Sequence, residues 1–165
     1  MDEQAFRWLV AAGAGLAFVA LWVGMFQLFA RIGGWRELAR TYPPLGITGA
    51  GLGETFRMRS LGLRANLNYN ACVTFVAGPA TLRVSLPRLL AFGHPPFEVP
   101  WADIETEARR SFLVSLVTLR CARAPAAPIH LRRRLAASLA RASGGRLRLP
   151  EATPGGSPSR LRPGA

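Results

Sequence analysis

The chain has 165 residues, of which 50% are hydrophobic and only 18% are charged, whereas about 25% of the residues in an ordinary soluble chain are charged. Its 21 basic side chains are all arginine and stand against nine acidic ones, which leaves a formal charge of +12. The apolar half of the chain excludes wholesale disorder, and two cysteines with two histidines are too few for a disulfide scaffold or a self-contained zinc site. We therefore expect one domain with an appendage, and no metal or other cofactor.

The first element is an uncharged stretch of 23 residues, 8–30, bounded by Arg7 and Arg31. As a helix rising about 1.5 Å per residue it is roughly 34 Å long, enough to cross a hydrocarbon core of about 30 Å. A signal peptide has a positively charged start and a shorter apolar core, whereas this chain begins Met1-Asp2-Glu3. The pattern predicts an N-terminal segment, residues 1–30, containing an uncleaved transmembrane helix.

The charges that flank this span predict its orientation. Arg31, Arg36 and Arg40 follow the span, whereas only Arg7 precedes it. Because positively charged flanks stay on the cytoplasmic side, we expect most of the chain to be cytoplasmic.

Small residues recur in the span at steps of four, three and four, which places them on one helix face: Gly13, Ala17, Ala20 and Gly24. Such a face allows two transmembrane helices to approach closely. It predicts packing against a second copy or another membrane protein. The alternative is that small residues are simply abundant in a chain with 17 glycines.

Residues 31–53 are predicted to form a short juxtamembrane helix, ended by Pro43-Pro44, and then a glycine-rich link that runs to Gly53. One face of the helix carries apolar and aromatic residues at helical spacing: Trp35, Leu38, Ala39 and Tyr42. Because Trp and Tyr suit the lipid headgroup layer, this face contacts either the membrane surface or the domain that follows.

From residue 54 the pattern changes to alternation of apolar and polar residues, which is typical of strands. The predicted strands cover residues 54–63, 67–75, 81–86, 97–101 and 112–120, separated by turns such as Gly78-Pro79. Six or seven antiparallel strands in about 70 residues imply a small barrel or sandwich.

The pattern becomes helical again from Pro128 and stops at Gly144-Gly145. An apolar stripe marks the buried face of this helix: Leu131, Leu135, Leu139 and Ala142. The predicted fold class is therefore α+β, mainly β: a transmembrane helix, then a β domain over residues 54–145 closed by a C-terminal amphipathic helix. Residues 146–165, rich in proline and glycine, are predicted to be a disordered basic tail.

Three segments carry a resemblance: residues 35–43 (Trp-x-x-Leu-Ala-x-x-Tyr-Pro), residues 81–86, and residues 93–104, which include Gly-His-Pro-Pro and Pro-Trp-Ala-Asp-Ile. They resemble segments of uncharacterised bacterial single-span membrane proteins. The Pro-Trp-Ala-Asp-Ile strand is also similar to that of pleckstrin-homology-like (PH-like) and GRAM-like domains. The resemblance implies a PH-like fold, in which one C-terminal helix closes a bent sheet, and a location in the bacterial inner membrane. It implies no catalytic or binding residue.

His94 invites a catalytic hypothesis, because Ser85, His94 and Asp103 supply the residue types of a nucleophile, a base and an orienting carboxylate. No serine lies in a Gly-x-Ser-x-Gly elbow, and a histidine before two prolines is typical of a turn contact. We therefore expect no catalytic residue, and a site near His94 and Asp103 remains the alternative.

Acidic residues cluster at Glu98, Asp103, Glu105 and Glu107. A divalent cation uses such carboxylates, but a solvated strand face with cross-strand ion pairs is the more ordinary interpretation, and we expect no metal. Cys72 and Cys121 lack Cys-x-x-Cys spacing and are predicted to be small buried apolar residues. A disulfide between them becomes possible if the domain is extracytoplasmic.

Residues 120–165 hold ten arginines against one acid, a net charge of +9. The candidate lipid-binding residues are Arg132, Arg133, Arg134, Arg141, Arg146 and Arg148. Arginines bind anionic lipid headgroups and also nucleic-acid phosphates, and the short link to the span favours lipid over nucleic acid. The alternative is a helix that packs by its leucines and turns its arginines to water.

These observations predict a non-enzymatic, single-pass membrane protein that serves as an adaptor or assembly factor. Its expected partners are the lipid bilayer, anionic headgroups and another membrane protein, with self-association possible. The alternatives are a membrane-tethered enzyme and a basic module that tethers nucleic acid.

Overall fold

A long N-terminal helix precedes an antiparallel β domain in the computed structural model, which describes residues 2–44, 53–64, 67–111 and 114–150. The helices are α1 (Glu3–Ile32), α2 (Trp35–Thr41) and α3 (Arg133–Ala142). The strands are β1 (Glu54–Gly62), β2 (Asn68–Ala77), β3 (Thr81–Ser85), β4 (Phe97–Pro100), β5 (Ile104–Ser111), β6 (Val114–Cys121) and β7 (Ala124–Arg132). Two 3₁₀ turns, Arg88–Leu90 and Trp101–Asp103, flank β4.

Helix α1 has 30 residues, and the mean hydropathy of its most apolar 18-residue window is 2.1. None of that window is buried inside the protein. Glu3 in the first turn and Arg31 in the last turn complement the helix dipole. By length and composition, α1 is able to cross a membrane.

The seven strands form one antiparallel sheet in the order β4-β3-β2-β1-β7-β6-β5. Two meanders, β1–β4 and β5–β7, are joined where β1 meets β7, and the pairing there is Gly62 with His130. Alternate strand residues such as Phe75, Leu82 and Leu119 are fully buried, as the period of two requires. The prediction of an α+β, mainly β, fold after an N-terminal apolar helix is confirmed.

Strand β7 corrects the helix predicted from Pro128, because the helix begins at Arg133. Leu131, assigned above to the helical stripe, is a buried strand residue. The β6–β7 register shifts between the pairs Leu119–Ile129 and Cys121–Ala124, and prolines are tolerated at such irregularities. The leucines at 135 and 139 do lie on the buried face of α3.

The ordered chain continues past α3. Leu147 is 2% exposed, and its backbone N–H donates to Ser143 Oγ at 3.0 Å. Leu149 packs against the same core. Residues 146–150 therefore belong to the folded domain rather than to the predicted tail, of which residues 151–165 lie outside the described part of the chain.

The predicted face of α2 is buried in the β domain. Trp35 and Leu38 have no exposed surface, and Tyr42, the residue after α2, is 1% exposed. The backbone N–H of Glu98 donates to the Tyr42 carbonyl at 3.0 Å, and that of Arg123 donates to the Tyr42 hydroxyl at 2.9 Å. The sequence allowed this face to contact either the membrane surface or the β domain, and it contacts the β domain. Most of the predicted glycine-rich link lies outside the described residues.

Strand β1 is bent by irregular pairing with β2. The register shifts on both sides of Arg59, and Met58 and Ala71 have positive φ angles of 53° and 50°. Such bulges bend and twist a strand. The bend accompanies the separation of β1 from β7 beyond the Gly62–His130 pair.

Candidate functional site

The junction between α1 and α2 is a turn pressed against the sheet. Gly34 has a φ of +86°, in the left-handed region that favours glycine. A Cβ atom added to Gly34 would lie 2.9 Å from the Cβ atom of Ala127 in β7. The turn therefore requires glycine both for its conformation and for its close approach to β7.

Arg64 closes the C-terminus of α1 from the far end of β1. Its Nε donates to the Ile32 carbonyl at 2.7 Å, and its Nη2 donates to the Arg31 carbonyl at 3.3 Å. Its Nη1 lies 3.3 Å from Oε2 of Glu37 in α2. Because the last carbonyls of a helix have no partner within the helix, a cation here both satisfies them and complements the helix dipole. One side chain thus connects α1, α2 and the β domain.

An aromatic cluster anchors α2 on the other side of the junction. The indole N–H of Trp35 donates to the Pro95 carbonyl at 2.8 Å. The rings of Tyr69, His94 and Phe97 lie 5.2 to 5.3 Å from the Trp35 ring, at tilted or edge-on angles. These spacings are typical of stabilising aromatic pairs. Trp35 is therefore a core residue rather than a headgroup anchor.

His94 belongs to this cluster and is 1% exposed. Its Nδ1 lies 3.0 Å from the Phe92 carbonyl and its Nε2 lies 2.8 Å from the Tyr69 hydroxyl. Since a carbonyl only accepts, Nδ1 carries the proton, and Nε2 accepts from Tyr69. Burial lowers the pKa of His94, the bond to Phe92 partly offsets this, and Arg36 lowers the pKa further. Burial raises the pKa of Tyr69 to about 12. The two residues form a neutral hydrogen-bonded pair.

The hypothetical catalytic trio is not assembled around His94. Both ring nitrogens of His94 are engaged by Phe92 and Tyr69, as described above. The carboxylate of Asp103 instead pairs with Arg123, whose Nε lies 2.9 Å from Oδ2. Asp103 therefore orients an exposed arginine and not the histidine.

No protein-family model, curated protein or solved structure matches this chain. The resemblance based on residues 35–43, 81–86 and 93–104 stays a prediction.

A basic groove opens where β1 separates from β7, with a volume of about 350 Å³. Seven residues line it: Met58, Arg59, Ser60, Arg132, Arg134, Leu135 and Ser138. This lining supplies three guanidinium groups and two hydroxyls, and none of these seven described residues is acidic. Two of the predicted lipid-binding arginines, Arg132 and Arg134, thus lie in the same groove as Arg59. Arg59 was not among the predicted lipid-binding residues. In the sequence, Arg59 is distinguished only by its position on the polar side of a predicted strand.

The other four predicted arginines are not part of the groove lining. Arg146 and Arg148 line a second groove of about 410 Å³, beside Trp101. Arg133 is half-buried at the start of α3, and Nη2 of Arg141 lies 3.5 Å from Ser138 Oγ. Of the six arginines, Arg132 and Arg134 line the basic groove, Arg141 adjoins it through Ser138, and Arg146 and Arg148 line the second groove. Their binding of lipid stays a prediction.

Of the four clustered acidic residues, Asp103 and Glu107 form ion pairs at the domain surface, whereas Glu98 is 5% exposed and accepts a hydrogen bond from Thr81 Oγ1. Besides the Asp103–Arg123 pair, Glu107 Oε1 lies 2.8 Å from Arg120 Nε. Exposed pairs of this kind contribute up to about 1 kcal/mol each. Within the described residues, no group of three or more His, Cys, Asp or Glu side chains is arranged to hold a metal ion.

Both cysteines are free thiols. Cys121 is fully buried, and burial raises its pKa to about 12; burial also raises the pKa of the half-buried Cys72. A thiol with a raised pKa is a poor nucleophile. Cys121 therefore serves as a small apolar core residue.

The small-residue face of α1 is exposed along its length: Gly13, Ala17, Ala20 and Gly24. A Cβ atom added at Gly13 or Gly24 would meet nothing within 4 Å. This face is thus available in one copy of the chain, and its packing against another helix stays a prediction.

Proposed function

We propose that this chain is a single-pass membrane protein in which a PH-like β domain is fixed to the end of an uncleaved transmembrane helix. In this proposal it is a non-enzymatic adaptor or assembly factor, with the domain on the cytoplasmic face of a bacterial inner membrane. The observation that carries the proposal is the capping of α1 by Arg64, because it makes the end of the apolar helix part of the domain.

The last turns of α1 support an uncleaved helix. Ala30 has no exposed surface, and Oε1 of Gln27 accepts a hydrogen bond from Arg36 at 3.0 Å. Cleavage behind the apolar stretch would remove these contacts and leave Arg64 without the carbonyls that it caps. A signal sequence that is discarded has no need of such contacts.

The strand order supports the PH-like assignment. Four strands and then three strands are joined through β1 and β7, and one C-terminal helix follows them. Leu135, Ala136 and Leu139 of that helix are buried. This is the plan expected of a bent sheet closed by a single helix.

The rigid junction supports an adaptor role. A flexible tether lets a domain sample many orientations, whereas a capped helix followed by a buried α2 gives the domain one orientation relative to α1. A fixed orientation suits the assembly of partners around a membrane protein. The enzyme alternative receives less support, since His94 is buried and neutral, and its ring is hydrogen-bonded to Tyr69 and not to Asp103.

The full chain expressed in a bacterium tests the membrane part of this proposal. We expect an intact N-terminus by mass spectrometry, retention in the membrane after alkaline extraction, and fluorescence from green fluorescent protein fused to the C-terminus. Loss of about the first 30 residues, or activity of a C-terminal alkaline phosphatase fusion instead, would overturn it. Complementation of a deletion strain by His94→Gln then separates an adaptor, which retains function, from an enzyme that uses His94.

A second candidate function is the binding of anionic lipid headgroups in the basic groove. It is favoured by the convergence of Arg59, Arg132 and Arg134 at the start of α3, whose first turn contains no acidic residue. Phosphate groups suit both guanidinium side chains and helix N-termini. Nucleic acid presents the same phosphates and is therefore an outcome of the test.

Two triple variants test whether the groove binds headgroups. Each variant removes three positive charges, but only one removes them from the groove. In mild detergent, phosphatidylglycerol but not phosphatidylcholine should raise the melting temperature of the full chain. Arg59→Ser/Arg132→Ser/Arg134→Ser should abolish this shift. The matched control Arg57→Ser/Arg146→Ser/Arg148→Ser should retain it. Equal shifts in both variants would overturn headgroup binding in the groove, and a larger shift with an oligonucleotide would favour nucleic acid.

A further inference from the structure

The connection between β3 and β4 presents apolar side chains to the outside of the domain. We call residues 88–93, Arg-Leu-Leu-Ala-Phe-Gly, the apolar loop. Leu89 is 80% exposed and Phe92 is 48% exposed. Outside α1, the one other large apolar side chain with comparable exposure among the described residues is Met58, at 66%. Met58 lies in the basic groove, whereas Leu89 and Phe92 lie together in one short loop.

The apolar loop lies directly against α1. The ring centroids of Phe92 and Trp22 are 6.4 Å apart. Gly93, with a φ of +76°, approaches the helix so closely that an added Cβ atom would lie 3.3 Å from Cα of Gln27. The loop therefore runs beside the segment of α1 between Trp22 and Gln27.

The depth of this segment follows from the length of the span. A hydrocarbon core of about 30 Å requires about 20 helical residues, and 20 residues counted from Trp8 end at Gln27. Trp22 then lies roughly 8 Å inside that end, at about 1.5 Å per residue. A loop that contacts Trp22 reaches the same depth.

We propose that the apolar loop inserts into the bilayer beside α1, with Leu89 and Phe92 among the acyl chains. The domain is then attached to the membrane at two points. The exposed Arg88 at the start of the loop is placed to reach lipid phosphates while its stem follows the loop. The proposal rests on the proposed function, in which α1 spans the membrane.

Local hydrogen bonds satisfy part of the backbone of the apolar loop. The N–H of Leu90 donates to the Pro87 carbonyl at 2.8 Å, and the N–H of His94 donates to the Ala91 carbonyl at 3.0 Å. The N–H of Ala91 donates to the Arg88 carbonyl at 3.3 Å. Unsatisfied backbone groups are what exclude most loops from lipid, and the N–H groups of Leu90 and Ala91 in this loop are satisfied by nearby carbonyls.

Depth-dependent fluorescence quenching of the full chain in nanodiscs tests the insertion. Both native cysteines are replaced by alanine, and an environment-sensitive fluorophore is attached to a single new cysteine at Leu89→Cys. Leu16→Cys, within the span, is the reference for lipid exposure. Ala108→Cys, exposed on β5 and outside the lining of both grooves, is the reference for water exposure. Circular dichroism confirms that each labelled chain is folded.

We expect nitroxide-labelled lipids to quench the label at Leu89 at least fivefold more strongly than the label at Ala108, with a blue-shifted emission. Equal quenching at Leu89 and Ala108, with strong quenching at Leu16, would overturn the insertion and leave the transmembrane helix intact. It would then favour a protein partner over the apolar loop. Weak quenching at Leu16 as well would overturn both proposals, since the insertion requires the span.

Discussion

The guanidinium group of Arg64 caps α1 by donating from Nε to the carbonyl oxygen of Ile32 at 2.7 Å. The capped helix is the apolar one that extends outside the domain, and the cap comes from the end of the first strand. Arg64, two residues after β1, therefore connects the end of the helix to the β domain. At the same junction, Gly34 lies against β7, and Trp35 donates a hydrogen bond to the Pro95 carbonyl.

Replacement of Arg64 by methionine tests this connection. Arg64→Met keeps much of the apolar stem but leaves the Ile32 and Arg31 carbonyls without these donors. We expect a loss of about 1 to 2 kcal/mol in the free energy of unfolding, because the side chain is 39% exposed and water replaces part of what is lost. Denaturant titration of the full chain in detergent measures this loss. Arg57→Met, at an exposed position in β1, is the control and should change stability by less than about 0.5 kcal/mol.

The angle between α1 and the domain gives a second readout for the same variant. Spin labels at one exposed position on α1 and one on β5 should show a narrow distance distribution in the parent chain. In Arg64→Met the distribution should broaden. An unchanged width would mean that α2 alone holds the helix in place.

Replacement of Gly34 by alanine tests whether the turn is pressed against β7. A left-handed backbone costs an alanine about 1 to 2 kcal/mol, and the approach to Ala127 should add about 1 to 3 kcal/mol of overpacking. Gly144 also has a positive φ, +64°, but a Cβ atom there would meet nothing within 4 Å. Gly144→Ala therefore isolates the backbone contribution. Equal destabilisation of the two variants would show that Gly34 is required for its conformation alone.

Two histidines, the buried His94 and the half-buried His130, predict a loss of stability as the pH falls. Burial lowers the pKa of His94, and burial together with Arg109 and Arg120 lowers that of His130. In the unfolded chain both titrate near 6.5. Below that pH the unfolded chain binds protons that the folded chain does not, so the free energy of unfolding decreases as the pH falls from 7.5 to 5.5.

The slope of the free energy of unfolding against pH shows which histidines cause this decrease. Each histidine contributes at most about 1.4 kcal/mol per pH unit. His94→Gln should reduce the slope, and His94→Gln/His130→Gln should nearly remove it in this pH window. Chemical denaturation at several pH values provides the measurement. Stability that does not change between pH 7.5 and 5.5 would contradict the assignment of both histidines as neutral in the folded chain.

Most strands of the β domain could be predicted from the sequence because they follow period-two alternation, but β5 lies outside the predicted ranges. Strands β1 to β4 begin and end within a few residues of the predicted ranges. Strand β7 could not be predicted, because Leu131, Leu135 and Leu139 also fit the period of a helix. In a short segment the same residues can fit both the strand period and the helix period. Only the pairing of Leu131 with Val117 decides between them.

The candidate sites were less predictable, since they depend on contacts between distant residues. The basic groove needs Arg59 beside Arg132, which lies 73 positions further along the chain. The cap on Ile32 comes from Arg64, for which the sequence carries no capping pattern. Periodicity likewise showed that α2 has an apolar face, but not whether lipid or protein covers it. Burial of Trp35 supplies that answer.

The bulge in β1–β2 gives the last prediction. Ala71 adopts a φ of 50°, where an alanine is strained by about 1 to 2 kcal/mol and a glycine is not. Its backbone N–H donates to Ser60 Oγ at 3.1 Å, and glycine retains this bond. Ala71→Gly therefore relieves strain in the folded chain but increases the entropy of the unfolded chain by about 0.4 to 1 kcal/mol. We expect net stabilisation of up to about 1 kcal/mol.

Ala108 is the matched control, because it lies in the regular β5–β6 ladder opposite Val117 and is also exposed. There the glycine relieves no strain, and Ala108→Gly should destabilise the domain by about 0.5 to 1 kcal/mol. Denaturant titration of both variants measures the difference. If Ala71→Gly destabilises the domain as much as Ala108→Gly, the left-handed backbone at the bulge stores no strain, and the bend of β1 away from β7 is then the relaxed conformation of that strand.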